Sequence, residues 1–97
     1  MSDHQSSIYE AALGSIYVAL TGDMRQVLFL LAESGPMKAI EAARQLGRAS
    51  SGCGDWLYAL NARKLVTRQF ITEGNRPYRI TELGFEVVRY ARELQKL

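Results

Sequence analysis

Apolar positions follow a period near 3.6 over most of the chain and a period of two over one short segment, and the breaks between them mark the elements. Residues 1–7 are polar and read as a flexible tail. The serine and glutamate of Ser7-Ile8-Tyr9-Glu10 have capping-box spacing, so a helix is expected over 8–20. Its apolar residues cover more than one face, which implies a second contact surface besides the core. Thr21-Gly22-Asp23 interrupts the pattern. Asp23 can cap a second helix over 24–34, built on Val27, Leu28, Leu30 and Leu31, and Gly35-Pro36 ends it. Ile40 to Leu46 reads as a short helix with Ala43 and Leu46 inward, stopped at Gly47. After the polar stretch 48–52, a fourth helix runs to about Arg63 with Cys53, Trp56, Leu57 and Leu60 on one face. Two short helices across a tight break, within 39–63, make a helix-turn-helix.

Leu65 to Ile71 is rich in β-branched and apolar residues, 72–77 is turn chemistry, and Tyr78 to Thr81 alternates again, which predicts a β-hairpin over 65–81. Thr81 then caps a last helix over 82–97. In it Leu83, Val87, Tyr90, Leu94 and Leu97 form a heptad seam suited to a partner helix. Glu86, Arg89, Glu93 and Lys96 place opposite charges three or four residues apart, each exposed pair adding about 0.2–0.5 kcal/mol to the helix. The fold class is therefore mainly α with a small β-hairpin.

With 97 residues, 47% of them apolar, the chain suits a single domain over 1–97. A chain of this size buries only about 60–65% of its unfolded surface, so a partner subunit would widen a thin margin. The longest apolar run, Val27 to Ala32, is far short of the ~20 residues that cross a bilayer, and the N-terminus lacks the blocks of a secretory signal. A cytoplasmic protein without a membrane partner is expected. One cysteine, Cys53, and one histidine, His4, can make neither an internal disulfide nor a structural zinc site, and no metal or other cofactor is expected. His4 falls in the tail. With no nucleophile and base pair and no phosphate loop, no catalytic residue is assigned and an enzyme is the weakest class. Cys53 shares its apolar face with Trp56 and Leu57 and reads as a buried, inert thiol, Trp56 as core, and Tyr9, Tyr17 and Tyr90 as packing residues.

The net charge of +2 conceals an asymmetry. Residues 1–47 hold three cations against five carboxylates, whereas 48–79 hold Arg48, Arg63, Lys64, Arg68, Arg76 and Arg79 against Asp55 and Glu73. Cations gathered on one side are what a polyanion requires, because they replace its condensed counterions. A solvated face accounts for the same numbers.

Three short motifs in order carry a family resemblance. Ala42-Ala43-Arg44-Gln45-Leu46-Gly47 is similar to the first motif helix and its glycine stop, Leu60-Asn61-Ala62-Arg63-Lys64-Leu65-Val66 to the exit from a recognition helix into a first wing strand, and Tyr78-Arg79-Ile80-Thr81-Glu82-Leu83-Gly84 to a second wing strand running into a closing helix. Together the stretch 39–88 resembles MarR-type transcriptional regulators. The resemblance implies a winged helix-turn-helix with N- and C-terminal dimerisation helices, double-stranded DNA as partner, and a homodimer. Lys64 departs from the pattern, which has glycine there, so a residue with a Cβ must make the bend before the wing.

In this reading Ser50 or Ser51 caps the recognition helix and donates to phosphate, Gly52 and Gly54 allow close backbone approach, Asp55 accepts from a cytosine amino group, and Tyr58 reaches a base edge or a phosphate. Arg48, Arg63, Lys64 and Arg68 clamp phosphates, with Arg76 and Arg79 on the wing. The dimer is expected to form through Ile8, Ala12, Ile16, Tyr17, Leu83, Val87, Tyr90, Leu94 and Leu97, placing two recognition helices about 34 Å apart on a pseudo-palindrome. Yet the stretch that would enter the major groove contains no arginine, lysine, asparagine or glutamine, the richest base readers. Two other readings therefore stand beside a sequence-specific regulator. One is a winged-helix module that binds protein, with the helix starting only at an Asp55 cap. The other is an architectural DNA-binding protein with little sequence preference. A small-molecule effector would have to act in the cleft between dimer helices and motif, and the sequence names none.

Overall fold

A computed structural model describes residues 3–96. Its elements run α1 (Asp3–Ala19), α2 (Gly22–Ser34), α3 (Ala39–Leu46), α4 (Ser50–Ala62), β1 (Val66–Arg68), β2 (Tyr78–Ile80) and α5 (Glu82–Gln95). β1 and β2 pair antiparallel, with Val66 opposite Ile80, Thr67 opposite Arg79 and Arg68 opposite Tyr78. Met37 adds a single bridge to Tyr78 on the outer edge of β2. Among the described residues, no single helix is long and apolar enough to cross a membrane.

Several ends form as their residues dictate. Gly35 (φ 85) and Gly47 (φ 66) close α2 and α3 in backbone conformations that side chains resist. Thr81 caps α5, its Oγ1 accepting the Gly84 N–H at 3.1 Å while its hydroxyl donates to the Lys64 carbonyl at 2.7 Å. Lys64 makes the bend before the hairpin at φ 63, a left-handed conformation taken without glycine.

Other ends correct the expectation. α1 begins at Asp3, so Ser7 and Glu10 lie inside the helix, and 3–7 are helical where a tail was expected. The cap of α2 is Thr21, whose Oγ1 accepts the Met24 N–H at 3.2 Å. Asp23 lies within the first turn, where its carboxylate suits the helix dipole. The residue before α4 is Ala49 and no side chain caps the helix, so neither Ser50 nor Ser51 plays that part. Nor does α4 wait for Asp55, since Gly52 and Gly54 are both helical.

The core joins Leu13 of α1, Val27, Leu28 and Leu31 of α2, Leu57 and Leu60 of α4, Leu65, Val66 of β1, and Val87 and Val88 of α5. This overturns part of the dimer expectation. Val87 is 0% exposed and offers a partner nothing, while Leu83 and Tyr90 also pack against the chain's own core. A seam of period 3.5 fits a helix of the same chain as well as one of another, and here α1 and α2 fill it. Tyr90 meets Tyr17 edge-on at 6.4 Å between ring centroids, and Arg89 ties α5 to α1 through Glu10 at 3.0 Å. Hydrogen bonds to Glu86 and then Glu10 hold the Arg89 guanidinium more firmly protonated than usual. Ile8, Ala12 and Leu94 remain exposed, Ile16 is half-buried, and Leu97 lies outside the described residues.

Candidate nucleic-acid interface

The hairpin pairing continues past its named strands, with the Gln69 N–H donating to the Pro77 carbonyl at 2.8 Å and the Ile71 N–H to that of Asn75 at 3.2 Å. This register sets Phe70 opposite Arg76, one step beyond Arg68 opposite Tyr78. Side chains two residues apart share a sheet face. Arg68 and Arg76, together with Tyr78 and Phe70, therefore project from one side. On that side each guanidinium lies over the ring opposite it, Arg68 at 5.3 Å from the Tyr78 centroid and Arg76 at 4.8 Å from that of Phe70. Arg68 Nε also donates to the Arg76 carbonyl at 3.2 Å. Aromatic faces hold both guanidinium groups without neutralising them, each worth about 0.5–1 kcal/mol at an exposed site. Neither forms an ion pair among the described residues.

This face forms one wall of a cleft of about 570 Å³, whose lining includes Arg68, Arg76 and Tyr78 of the hairpin, Lys38 and Ile40 at the start of α3, and Gly54 of α4. Lys38, Arg68 and Arg76 outnumber the single carboxylate in the wall, Glu73. Beside the cleft, α4 exposes Ser51, Asp55 and Tyr58, spaced four and three apart and therefore on one stripe, while Cys53, Leu57 and Leu60 face the core. A basic groove next to an exposed helix face is an arrangement that can follow a polyanion backbone.

The remaining cations of the basic segment go elsewhere. Arg48 pairs with Asp23 at 2.9 Å and lies over Trp56. Arg63 ends α4, donates to the Ala59 carbonyl at 3.0 Å, and lines a separate cleft with Ser15, Ile16 and Ala19 of α1. It stands nine residues beyond Gly54, about 14 Å along the helix. Lys64 is exposed in the bend that follows. Arg79 points from the opposite sheet face and lines a recess with Pro36 and Phe85. So the structure gathers Arg68 and Arg76 of the expected cations, beside Ser51, Gly54, Asp55 and Tyr58. Ser50 and Gly52 are in the first turn of the same helix. Lys38 was not expected, because charge summed over segments places it in the acidic half.

Cys53 is fully buried. Burial pushes its thiol pKa up, Arg48 opposes the shift and Asp23 adds to it. Trp56 is half-buried against the core, as expected of a packing residue.

No family model matches the sequence, and no curated protein does. Solved structures match closely in shape. A transcriptional regulator from Thermotoga maritima superposes with a TM-score of 0.71 at 22% identity, over 93% of this chain and 66% of that one. A MarR family protein from Bacillus stearothermophilus gives 0.65 at 21%, over 99% and 81%. S. aureus MepR, in a variant bound to an oligodeoxyribonucleotide, gives 0.75 at 14%, over 96% and 75%. The fold is the winged helix-turn-helix of MarR-type regulators.

Proposed function

We propose that the chain is a homodimeric regulator that binds double-stranded DNA in a sequence-dependent way. The observation that carries this reading is the cleft in which Arg68 and Arg76, seated on aromatic rings, face Lys38 beside the exposed stripe of α4. Cations held without carboxylates keep their charge for phosphate, and a helix stripe next to them is placed to enter a major groove. The oligonucleotide complex of the similarly folded MepR supports the same use of the scaffold. Dimerisation is supported by α1, which leaves Ile8, Tyr9 and Val18 exposed.

The α4 stripe favours a second reading. Ser51, Asp55 and Tyr58 include no bidentate base reader, so an architectural role with little sequence preference draws on the same wing arginines. Selection of bound duplexes from a random pool at two salt concentrations separates the two. The regulator yields an enriched pseudo-palindrome, and equal recovery of all sequences leaves only the architectural role. No binding even at low salt, with a protein partner that shields α4, would overturn both in favour of a protein-binding module.

A further inference from the structure

Arg48 occupies the turn between α3 and α4, where its side chain could reach outward to a phosphate. The structure turns it inward. Its Nη1 lies 2.9 Å from Asp23 Oδ1 and donates to Gln26 Oε1 at 3.4 Å, and its guanidinium carbon stands 4.7 Å from the Trp56 ring centroid. Asp23 and Gln26 belong to the first turns of α2, and Trp56 to the middle of α4. The Arg48 N–H also closes α3, donating to the Ala43 carbonyl at 2.9 Å. The planar guanidinium thus joins α2 to α4, with Nη1 on two α2 side chains and its plane over the Trp56 ring, while the backbone N–H of the same residue closes α3.

The N-terminal half of α4 needs such a tether. No side chain caps it, and Gly52 and Gly54 weaken its first two turns. The ion pair alone is half-exposed and contributes little. Its effect lies in geometry, because the ring and the two α2 side chains together hold the guanidinium in one orientation.

We infer that Arg48 is a positioning residue, which holds the start of α4 against α2 and does not touch the polyanion. The polyanion belongs to the proposed function, whereas the tether stands independently of it. Arg48→Ala and Asp23→Asn should each lower affinity for the selected duplex about three- to tenfold. The slope of log affinity against log salt should stay at the parent value in both, whereas each lost phosphate contact would reduce it by about 0.9. Both variants should shift the emission of Trp56, the sole tryptophan, in the free protein. Arg48→Lys keeps the charge and loses the planar group that spans the α2 side chains and the Trp56 ring, so it should behave as Arg48→Ala. The inference is overturned if Arg48→Lys keeps parent affinity while Arg48→Ala flattens the slope, or if Asp23→Asn tightens binding by freeing Arg48 for phosphate. If the parent chain binds no duplex, the functional reading falls, and urea melts still decide the tether. Loss in the double variant no greater than in either single one supports it, and simple addition of the two losses refutes it.

Discussion

Arg68 and Arg76 rest on aromatic rings and meet no carboxylate among the described residues, unlike Arg48, Arg89 and Arg92. A guanidinium locked to a carboxylate is already partnered, whereas one resting on a ring keeps its full charge for a ligand. Replacing either with alanine should weaken binding to all duplexes alike and reduce the salt slope by about one. Arg79→Ala, on the opposite sheet face, should leave the slope unchanged. Filter-binding titrations across a range of salt read both outcomes. Strand alternation could have shown the difference beforehand, since Arg79 adjoins Tyr78 and must point the other way. Summed charge could not, because it carries no direction. Cys53 was legible from its apolar face, and its burial makes a pH prediction. Its folded pKa lies above the unfolded value, so above the ordinary thiol value of 9.0 the unfolded chain ionises first and stability falls with rising pH. Cys53→Ala should remove that part of the alkaline loss in urea melts, and a thiol reagent should label the native protein only at the rate of its opening.

At the scale of elements, the two junctions of the wing are locked to one another. Thr81 bridges the bend at Lys64 to the start of α5, and Gly84 packs so close to it that a Cβ would collide with the Leu65 carbonyl oxygen. That oxygen is backbone and cannot swing aside, so Gly84→Ala should destabilise the fold by about 1–3 kcal/mol. Gly54 is the contrast. It is helical with open space around it, and Gly54→Ala should stabilise by about 0.5–1 kcal/mol, both read as shifts in urea midpoint. The sequence disclosed those ends that depend on a single residue's chemistry, as with Gly35, Gly47 and Thr81. It misled where two residues competed for one role. Thr21 outcompetes Asp23 as a cap because Asp23 sits one turn-step inside and meets Arg48. The heptad seam of α5 misled for a different reason, since periodicity records which face is apolar and says nothing of which chain covers it.

For the whole molecule, the uncovered apolar surface of α1 makes the dimer testable apart from the fold. Val18 is 74% exposed and Ile8 57%, while the same helix buries Leu13 in the core. A charge at Val18 therefore meets solvent in the monomer and a desolvated partner in the dimer, where an unpaired carboxylate is costly. Val18→Glu should keep the parent circular dichroism and urea midpoint at low protein concentration, yet run as a monomer in light scattering at concentrations where the parent is a dimer. Two linked modules bind a two-part site far more tightly than one, so this monomer should lose on the order of 10²-fold in affinity for a full pseudo-palindrome. Against an isolated half-site it should match the parent. A parent that scatters as a monomer at micromolar concentration, or a Val18→Glu variant that binds the full site as the parent does, would show that α1 is not the dimer surface and that each wing and helix acts alone.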